Sequence, residues 1–178
     1  MSPNEPSITA EPRVEARKAQ HYVAIPIKVS LQNWDNAIPL VYEVMRWLEQ
    51  HNIERAGVPF FRYWVVGDLS KDFVMEVGVP VPQAVQGDDR VKAGSIPAGT
   101  YATLLHHGNP YGINETHQKL KAWGEAQGLH IKSEHRDEQE VFSGVFDFYQ
   151  TNPAEEPNPS RWTTEVAHLL VEKAPKAK

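Results

Sequence analysis

Two carboxylates stand in this sequence where apolar side chains would serve a fold better. Asp147 lies within Val145-Phe146-Asp147-Phe148-Tyr149, and Glu165 within the run Trp162 to Leu169, most of whose members are β-formers. Side chains alternate along a strand, so Val145, Asp147 and Tyr149 share one side and Phe146 and Phe148 take the other. A carboxylate embedded there costs stability unless it is paired, solvated or useful. Asp147 and Glu165 are therefore candidate general acids or bases, against the plainer alternative that each points into water from the wet face of an antiparallel sheet. Glu76, in Met75-Glu76-Val77, suits a surface as well as a pocket.

Aromatic residues supply the second half of a possible site. Phe61 and Tyr63 alternate with Phe60, Arg62 and Trp64 and so share a strand face. Aromatic walls attract a flat cation by about 0.5–2 kcal/mol per ring, and a neighbouring carboxylate adds charge complementarity. The same walls raise a carboxylate's pKa by desolvation, which suits acid–base catalysis near neutral pH, with Tyr149 as a possible proton donor. Tyr111 and Trp162 lie near loops that could rim an opening. Trp123 is either a wall residue or core, and core is the simpler assignment for any single aromatic, Trp47 included.

Other chemistries find little support. The 178 residues contain no cysteine, which removes thiol catalysis, disulfides, iron–sulfur clusters and Cys-ligated zinc. Of the eight histidines, His106 and His107 are adjacent on a strand and face apart, while His130 and His135 sit in a polar stretch. No HExxH, nucleophile elbow, Walker A or Rossmann glycine pattern occurs, so neither a metal nor a cofactor is expected. A formal charge of −5 argues against a nucleic-acid partner. No apolar run reaches the ~18 residues of a membrane helix, and Met1 to Ala10 lacks the order of a secretory signal, so a cytoplasmic location without membrane attachment is expected.

The elements that must position these residues can be read along the chain. Residues 1–12 and 173–178 are proline-interrupted and poor in apolar content, and are expected to be disordered tails around one domain, 13–172. Tyr22 to Val29 reads as a strand. A helix follows from about Asn36, capped by Asp35 or Asn36, with Pro39 tolerated in its first turn and Gly57 marking the exit. Val58 to Val66 and Phe73 to Val81 read as two strands joined by a turn over 67–71. The order then recurs: a strand over Thr100 to His107, a helix capped by Asn114 and ended by Gly128, and strands over Val141 to Gln150 and Trp162 to Val171, separated by the loop Asn152 to Ser160.

The two halves, about 14–82 and 90–172, also match at particular residues. Trp47 corresponds to Trp123, Tyr22 to Tyr101, Tyr63 to Tyr149 and Glu76 to Glu165, at offsets of 76, 79, 86 and 89 residues. By that repeat Phe61 corresponds to Asp147. The expected fold is α+β: two fused β-α-β-β units related by a pseudo-two-fold axis, antiparallel sheets with helices on one face, and a central concave cleft. Phe61, Tyr63, Asp147 and Tyr149 would share that concave surface.

Several segments together resemble the GyrI-like small-molecule-binding domain, the effector-binding domain of multidrug-sensing bacterial transcription regulators. They are Gly57-Val58-Pro59-Phe60-Phe61-Arg62-Tyr63, Met75-Glu76-Val77-Gly78-Val79-Pro80-Val81, Ile96-Pro97-Ala98-Gly99-Thr100-Tyr101, Leu120-Lys121-Ala122-Trp123, Asp147-Phe148-Tyr149 and Thr164-Glu165-Val166. The resemblance covers about residues 14–171. It implies a hydrophobic cleft for flat or amphipathic, often cationic compounds, with acidic residues at the positions of Asp147 and Glu165; the former is commonly glutamate, and the shorter Asp147 alters the reach of the charge. Residues 1–13 leave no room for a helix-turn-helix, so a stand-alone member is expected.

Three functions compete on this reading. The first is binding of hydrophobic, aromatic or cationic small molecules, with Phe61, Tyr63, Asp147, Tyr149, Glu165, Trp123, Tyr111 and Trp162 as lining candidates. The second is a detoxifying hydrolase of cyclopropane-bearing or similar strained electrophiles, in which Glu165 or Asp147 activates water and Tyr149 or Tyr63 donates a proton. The third is a protein inhibitor of the gyrase-inhibiting type. Haem capture is a weaker fourth.

Overall fold

A computed structural model describes residues 11–30, 32–66, 72–152 and 155–172. Most of both expected tails (1–10 and 173–178), the expected turn over 67–71 and part of the 152–160 loop lie outside the described residues.

The strands are β1 (Arg13–Arg17), β2 (Gln20–Val29), β3 (Phe60–Val66), β4 (Phe73–Pro80), β5 (Lys92–Ile96), β6 (Gly99–His107), β7 (Ser133–Arg136), β8 (Gln139–Tyr149) and β9 (Thr163–Leu169), and the helices are α1 (Ile38–Gln50) and α2 (Ile113–Ala126). Among the described residues all nine strands join one sheet in the order β1-β6-β9-β8-β3-β4-β2-β5, with β7 beside the start of β8. Every pairing is antiparallel. The fold is therefore the expected α+β arrangement.

The strand order reads the same from either end once β2-α1-β3-β4 is superposed on β6-α2-β8-β9. Register makes the symmetry exact to the residue. Phe61 pairs with Val77 and Asp147 with Val166, while Arg62 pairs with Glu76 and Phe148 with Glu165. At the centre Phe61 pairs with Asp147 itself, so the pseudo-two-fold axis passes between these two repeat mates. The two leading strands are exchanged: β1, which precedes unit one, pairs with β6 of unit two, and β5, which precedes unit two, pairs with β2 of unit one.

Both helices lie on one face. α1 buries Val41, Val44, Trp47 and Leu48, the i, i+3, i+6, i+7 stripe that a 3.6-residue period brings to one side. It starts two residues later than expected, without a side-chain cap, because Trp34–Ala37 forms a 3-10 turn first. Asn114 likewise falls inside α2; the side chain of Asn109 instead accepts from the Tyr111 N–H and opens a 3-10 turn, Pro110–Gly112. Gly128 ends α2 at φ +78°, a conformation that favours glycine, while Leu129 N–H donates to the Gly124 carbonyl at 2.8 Å.

The helix-covered face carries Phe61, Tyr63, Val145, Asp147 and Tyr149; the opposite face carries Tyr22, Phe60, Tyr101, Phe146 and Phe148. Phe60 and Phe146 are fully buried, although no helix residue belongs to their cluster. Burial there comes from curling of the sheet. Arg62 of β3 donates to the carbonyl of Ser95 in β5 at 3.1 Å, although two strands separate them in the sheet. The concave side left by the helices is thus the inner face of the curl. Phe61, Tyr63, Asp147 and Tyr149 were expected to line it, and they lie beneath the helices instead.

Candidate functional site

Between α2 and the sheet is a cavity of about 250 Å³. Trp34, Phe73, Ile131, Phe142 and Val145 form apolar walls, and Tyr63, Asn114, His117, Gln118, Lys121, Glu140 and His168 bring the polar groups. α2 supplies His117 and Lys121 from one helical face, four residues apart. β3, β8 and β9 are adjacent in the sheet, which sets Tyr63, Asp147 and His168 side by side on the same surface.

Behind the cavity wall Asp147 is fully buried and both its oxygens are used. Tyr63 donates its phenol hydrogen to Oδ2 at 2.6 Å, and His117 Nε2 lies 2.6 Å from Oδ1. His117 Nδ1 lies 2.9 Å from His168 Nε2. A carboxylate offers only acceptors, so His117 gives Asp147 its Nε2 hydrogen. Neutral His117 then presents a lone pair at Nδ1, to which His168 donates from Nε2. The unit is a continuous chain from carboxylate to imidazole to imidazole.

Burial shifts Tyr63, Tyr149 and His168 toward their neutral forms. It pushes the Tyr63 phenol well above its usual range, and the Asp147 charge pushes the same way. The Tyr149 phenol is raised by burial and then by Asp147. His168 is held well below the ordinary histidine value, first by burial, with the charge of Lys121 acting in the same direction.

The repeat provides an internal control. The offset that relates Trp47 to Trp123 places Val41 where α2 has His117, and the strand offsets place Phe61 where β8 has Asp147 and Val79 where β9 has His168. Val41, Phe61 and Val79 are at most 1% exposed. Unit one thus satisfies the same fold with three apolar residues, and unit two has exchanged each for a polar one. Tyr149, the mate of Tyr63, has a buried hydroxyl without a hydrogen-bond partner among the described residues, because Phe61 stands where a carboxylate would accept it.

The other residues singled out from sequence fall elsewhere. Asp147 pairs with Val166, which turns Glu165 to the inner face, so the sheet separates the two carboxylates. Glu165 accepts from Arg17 at 2.8 Å, and the Arg17 guanidinium lies 5.7 Å from the Tyr101 ring centre and 5.8 Å from that of Phe148. An aromatic and acidic recess of about 280 Å³ does exist there, and the protein's own arginine lines it and pairs with its carboxylate. Its repeat mate Glu76 accepts from Tyr22 on the same face, at 2.6 Å. Phe61 packs edge-on against Tyr149 and Trp34 in the core. Trp162 is buried and donates to the Glu156 carbonyl, and Trp123 packs half-buried against the core. Tyr111 is exposed and stacks on Trp34 at 5.4 Å, with its hydroxyl on Asp35, so it covers one cavity wall from outside.

Among the described residues no helix is long and apolar enough to cross a membrane, and no group of three or more His, Asp or Glu is arranged to hold a metal. No curated protein matches in sequence. In fold, the chain is similar to the C-terminal domain of EcmrR, with a TM-score of 0.71 and 14% identity over 93% of this chain and 100% of that one. It also matches EcmrR in its complex with DNA (TM-score 0.77, 14% identity, 93% of this chain), where it spans 59% of the EcmrR chain. A hydrolase from Listeria innocua gives a TM-score of 0.61 at 12% identity, over 93% of this chain and 94% of that one. SAV2435 bound to tetraphenylphosphonium gives 0.58 at 9% identity, over 90% and 94%. The sequence model of the GyrI-like small molecule binding domain matches residues 10–167. With nearly the whole described chain inside that match, the protein belongs to the GyrI-like small-molecule-binding domain family.

Proposed function

We propose that this protein binds a compact aromatic small molecule in the cavity between α2 and the sheet. The observation that carries the reading is the exchange of Val41, Phe61 and Val79 for His117, Asp147 and His168 between otherwise equivalent halves. Polar groups placed in a core that does not need them, converging on apolar walls, are what a specific ligand site requires. At about 250 Å³ the cavity is at the small end of ligand pockets, which favours two or three fused rings over a larger compound. A cation has less support than a neutral ring system, since both Asp147 oxygens are engaged and Asp147 is not among the wall residues.

Titration with a panel of bicyclic aromatics, followed by thermal shift, tests the proposal. Binding should raise the melting temperature, and a bulky residue in the cavity wall, Val145→Trp, should abolish the rise. Retention of the rise in that variant would place the ligand elsewhere.

Hydrolysis of a strained electrophile is the second reading. What favours it is the imidazole pair, in which His168 at the cavity wall can pass a water proton to His117, itself held by a buried carboxylate at 2.6 Å. Incubation with a cyclopropane-bearing alkylator and mass spectrometry for the water adduct distinguishes it from binding alone; a rate equal to that in buffer removes it for that substrate class.

A further inference from the structure

We infer that the ligand is a hydroxyl-bearing aromatic that enters as a neutral acid and gives its proton to Nδ1 of His168; the inference rests on the cavity reading above. His168 is 2% exposed and belongs to the cavity wall. Its Nε2 is engaged by His117. Its Nδ1 has no hydrogen-bond partner among the described residues, yet it is not one of the enclosed unpartnered atoms, which are Arg62 Nε, Tyr149 Oη and Thr164 Oγ1. The small surface that His168 retains therefore includes Nδ1, open toward the cavity. A lone pair facing a cavity whose walls are largely apolar asks for a donor, and a phenolic O–H attached to a ring fits both the acceptor and the walls.

Alone, His168 would be a poor base, since burial opposes its charging. The chain behind it removes that obstacle. As the ligand O–H bond breaks and a hydrogen forms on His168 Nδ1, the hydrogen on Nε2 moves across 2.9 Å to His117 Nδ1. His168 ends neutral, in its other tautomer. The positive charge rests on His117, whose Nε2 hydrogen is already on Asp147 at 2.6 Å. One proton leaves the ligand and one is gained by the histidine pair, so the phenolate, imidazolium and carboxylate together keep the single negative charge present at the start.

The groups facing this chain from each packed element are few. α2 adds Lys121, a cavity-wall cation that favours the phenolate; β8 adds Glu140, which opposes it while accepting from Ser133 at 2.6 Å. β3 adds Tyr63, whose donor is committed to Asp147. β8 also carries Tyr149, kept neutral by burial.

4-Nitrophenol reports the step directly, because phenol and phenolate absorb differently. With the full chain at a pH one unit below the dye's own pKa, bound dye should show the phenolate spectrum, and nitrobenzene, which has the ring without the hydroxyl, should bind at least tenfold more weakly. In His168→Gln and in His117→Gln the dye should bind at least tenfold more weakly and with the phenol spectrum, its advantage over nitrobenzene should fall below twofold, and the near-ultraviolet circular dichroism of the wild type should persist and show that the packing is intact. A phenol spectrum in the wild type, equal affinity for the two compounds, or a phenolate spectrum that survives either substitution overturns the inference and leaves the cavity reading standing. Absence of binding by both compounds overturns the two together.

Discussion

Phe61 and Asp147 face each other as a registered pair between β3 and β8, and they are also each other's counterparts in the internal repeat. One is an apolar ring, the other a fully buried carboxylate. The molecule is most symmetric in its backbone at the place where its chemistry is least symmetric. The polar chain built on Asp147 lies entirely in unit two, joined from unit one only by Tyr63.

Asp147→Asn should destabilise the protein by about 2–4 kcal/mol, because an amide can accept from only one of the two donors, Tyr63 and His117, and brings its own hydrogens toward the other. Replacing the whole set with apolar residues of the kind unit one uses, in the triple variant Asp147→Leu, His117→Val, His168→Val, should recover most of that loss and abolish ligand binding. Denaturant unfolding of both variants checks this. A triple variant less stable than Asp147→Asn would show that the fold itself depends on the polar chain.

His168 also makes a prediction about pH. Its folded-state pKa is depressed, so the unfolded chain binds the extra proton more readily. Stability from this residue is complete above the unfolded histidine value of about 6.5 and falls as pH drops below it, with a slope of at most about 1.4 kcal/mol per pH unit. His168→Leu should flatten the stability curve between about pH 6.5 and 5. An unchanged slope would mean that His168 charges freely in the folded protein.

On the inner face, Arg17→Gln should remove the cation that pairs with Glu165 and lies over the rings of Tyr101 and Phe148. Tetramethylammonium should then bind weakly, each ring contributing about 0.5–2 kcal/mol, and perturb the NMR signals of Tyr101 and Phe148. The wild type should show no such change, and Glu165→Gln in the Arg17→Gln background should reverse it. Equal perturbation in wild type and variant would mean that Arg17 does not exclude other cations from the recess.

Tyr111 is 60% exposed, so Tyr111→Ala should cost no more than about 1 kcal/mol, the worth of its stack on Trp34. It should nonetheless raise both the association and dissociation rates of a cavity ligand, measured by stopped-flow quenching of Trp34. Unchanged rates would place the ligand's path on the other side of the cavity.

Much of the fold was legible because apolar alternation marks β2, β3, β4, β6, β8 and β9, and the helices carry a clear stripe. β1, β5 and β7 were not. Their sequences, Arg-Val-Glu-Ala-Arg, Lys-Ala-Gly-Ser-Ile and Ser-Glu-His-Arg, contain too little apolar pattern, and they become strands because an edge is available to pair with. The β7–β8 hairpin turns through Asp137 and Glu138, both at positive φ, without the glycine that usually signals such a turn. Asp147 could be singled out as a carboxylate in an apolar strand. The separation of Glu165 from it could not be read, since it depends on the pairing of Asp147 with Val166. His117 and His168 fit no histidine motif and so escaped notice. The signal was present in the repeat, as histidines standing where the other half has buried valines.

The pseudo-two-fold axis has a historical consequence. Were the two units identical chains assembled as a pair, with first strands exchanged as β1 and β5 are, any residue at the position of Asp147 would meet its own copy across the axis. A carboxylate there would face a second carboxylate, and like charges directly opposite in a sheet repel. Joining the halves in one polypeptide lifts that restriction, because each half can then carry a different residue at the shared position. The buried acid is thus a kind of residue that a symmetric dimer could not easily have acquired, and linkage of the repeats is what made an asymmetric interior accessible.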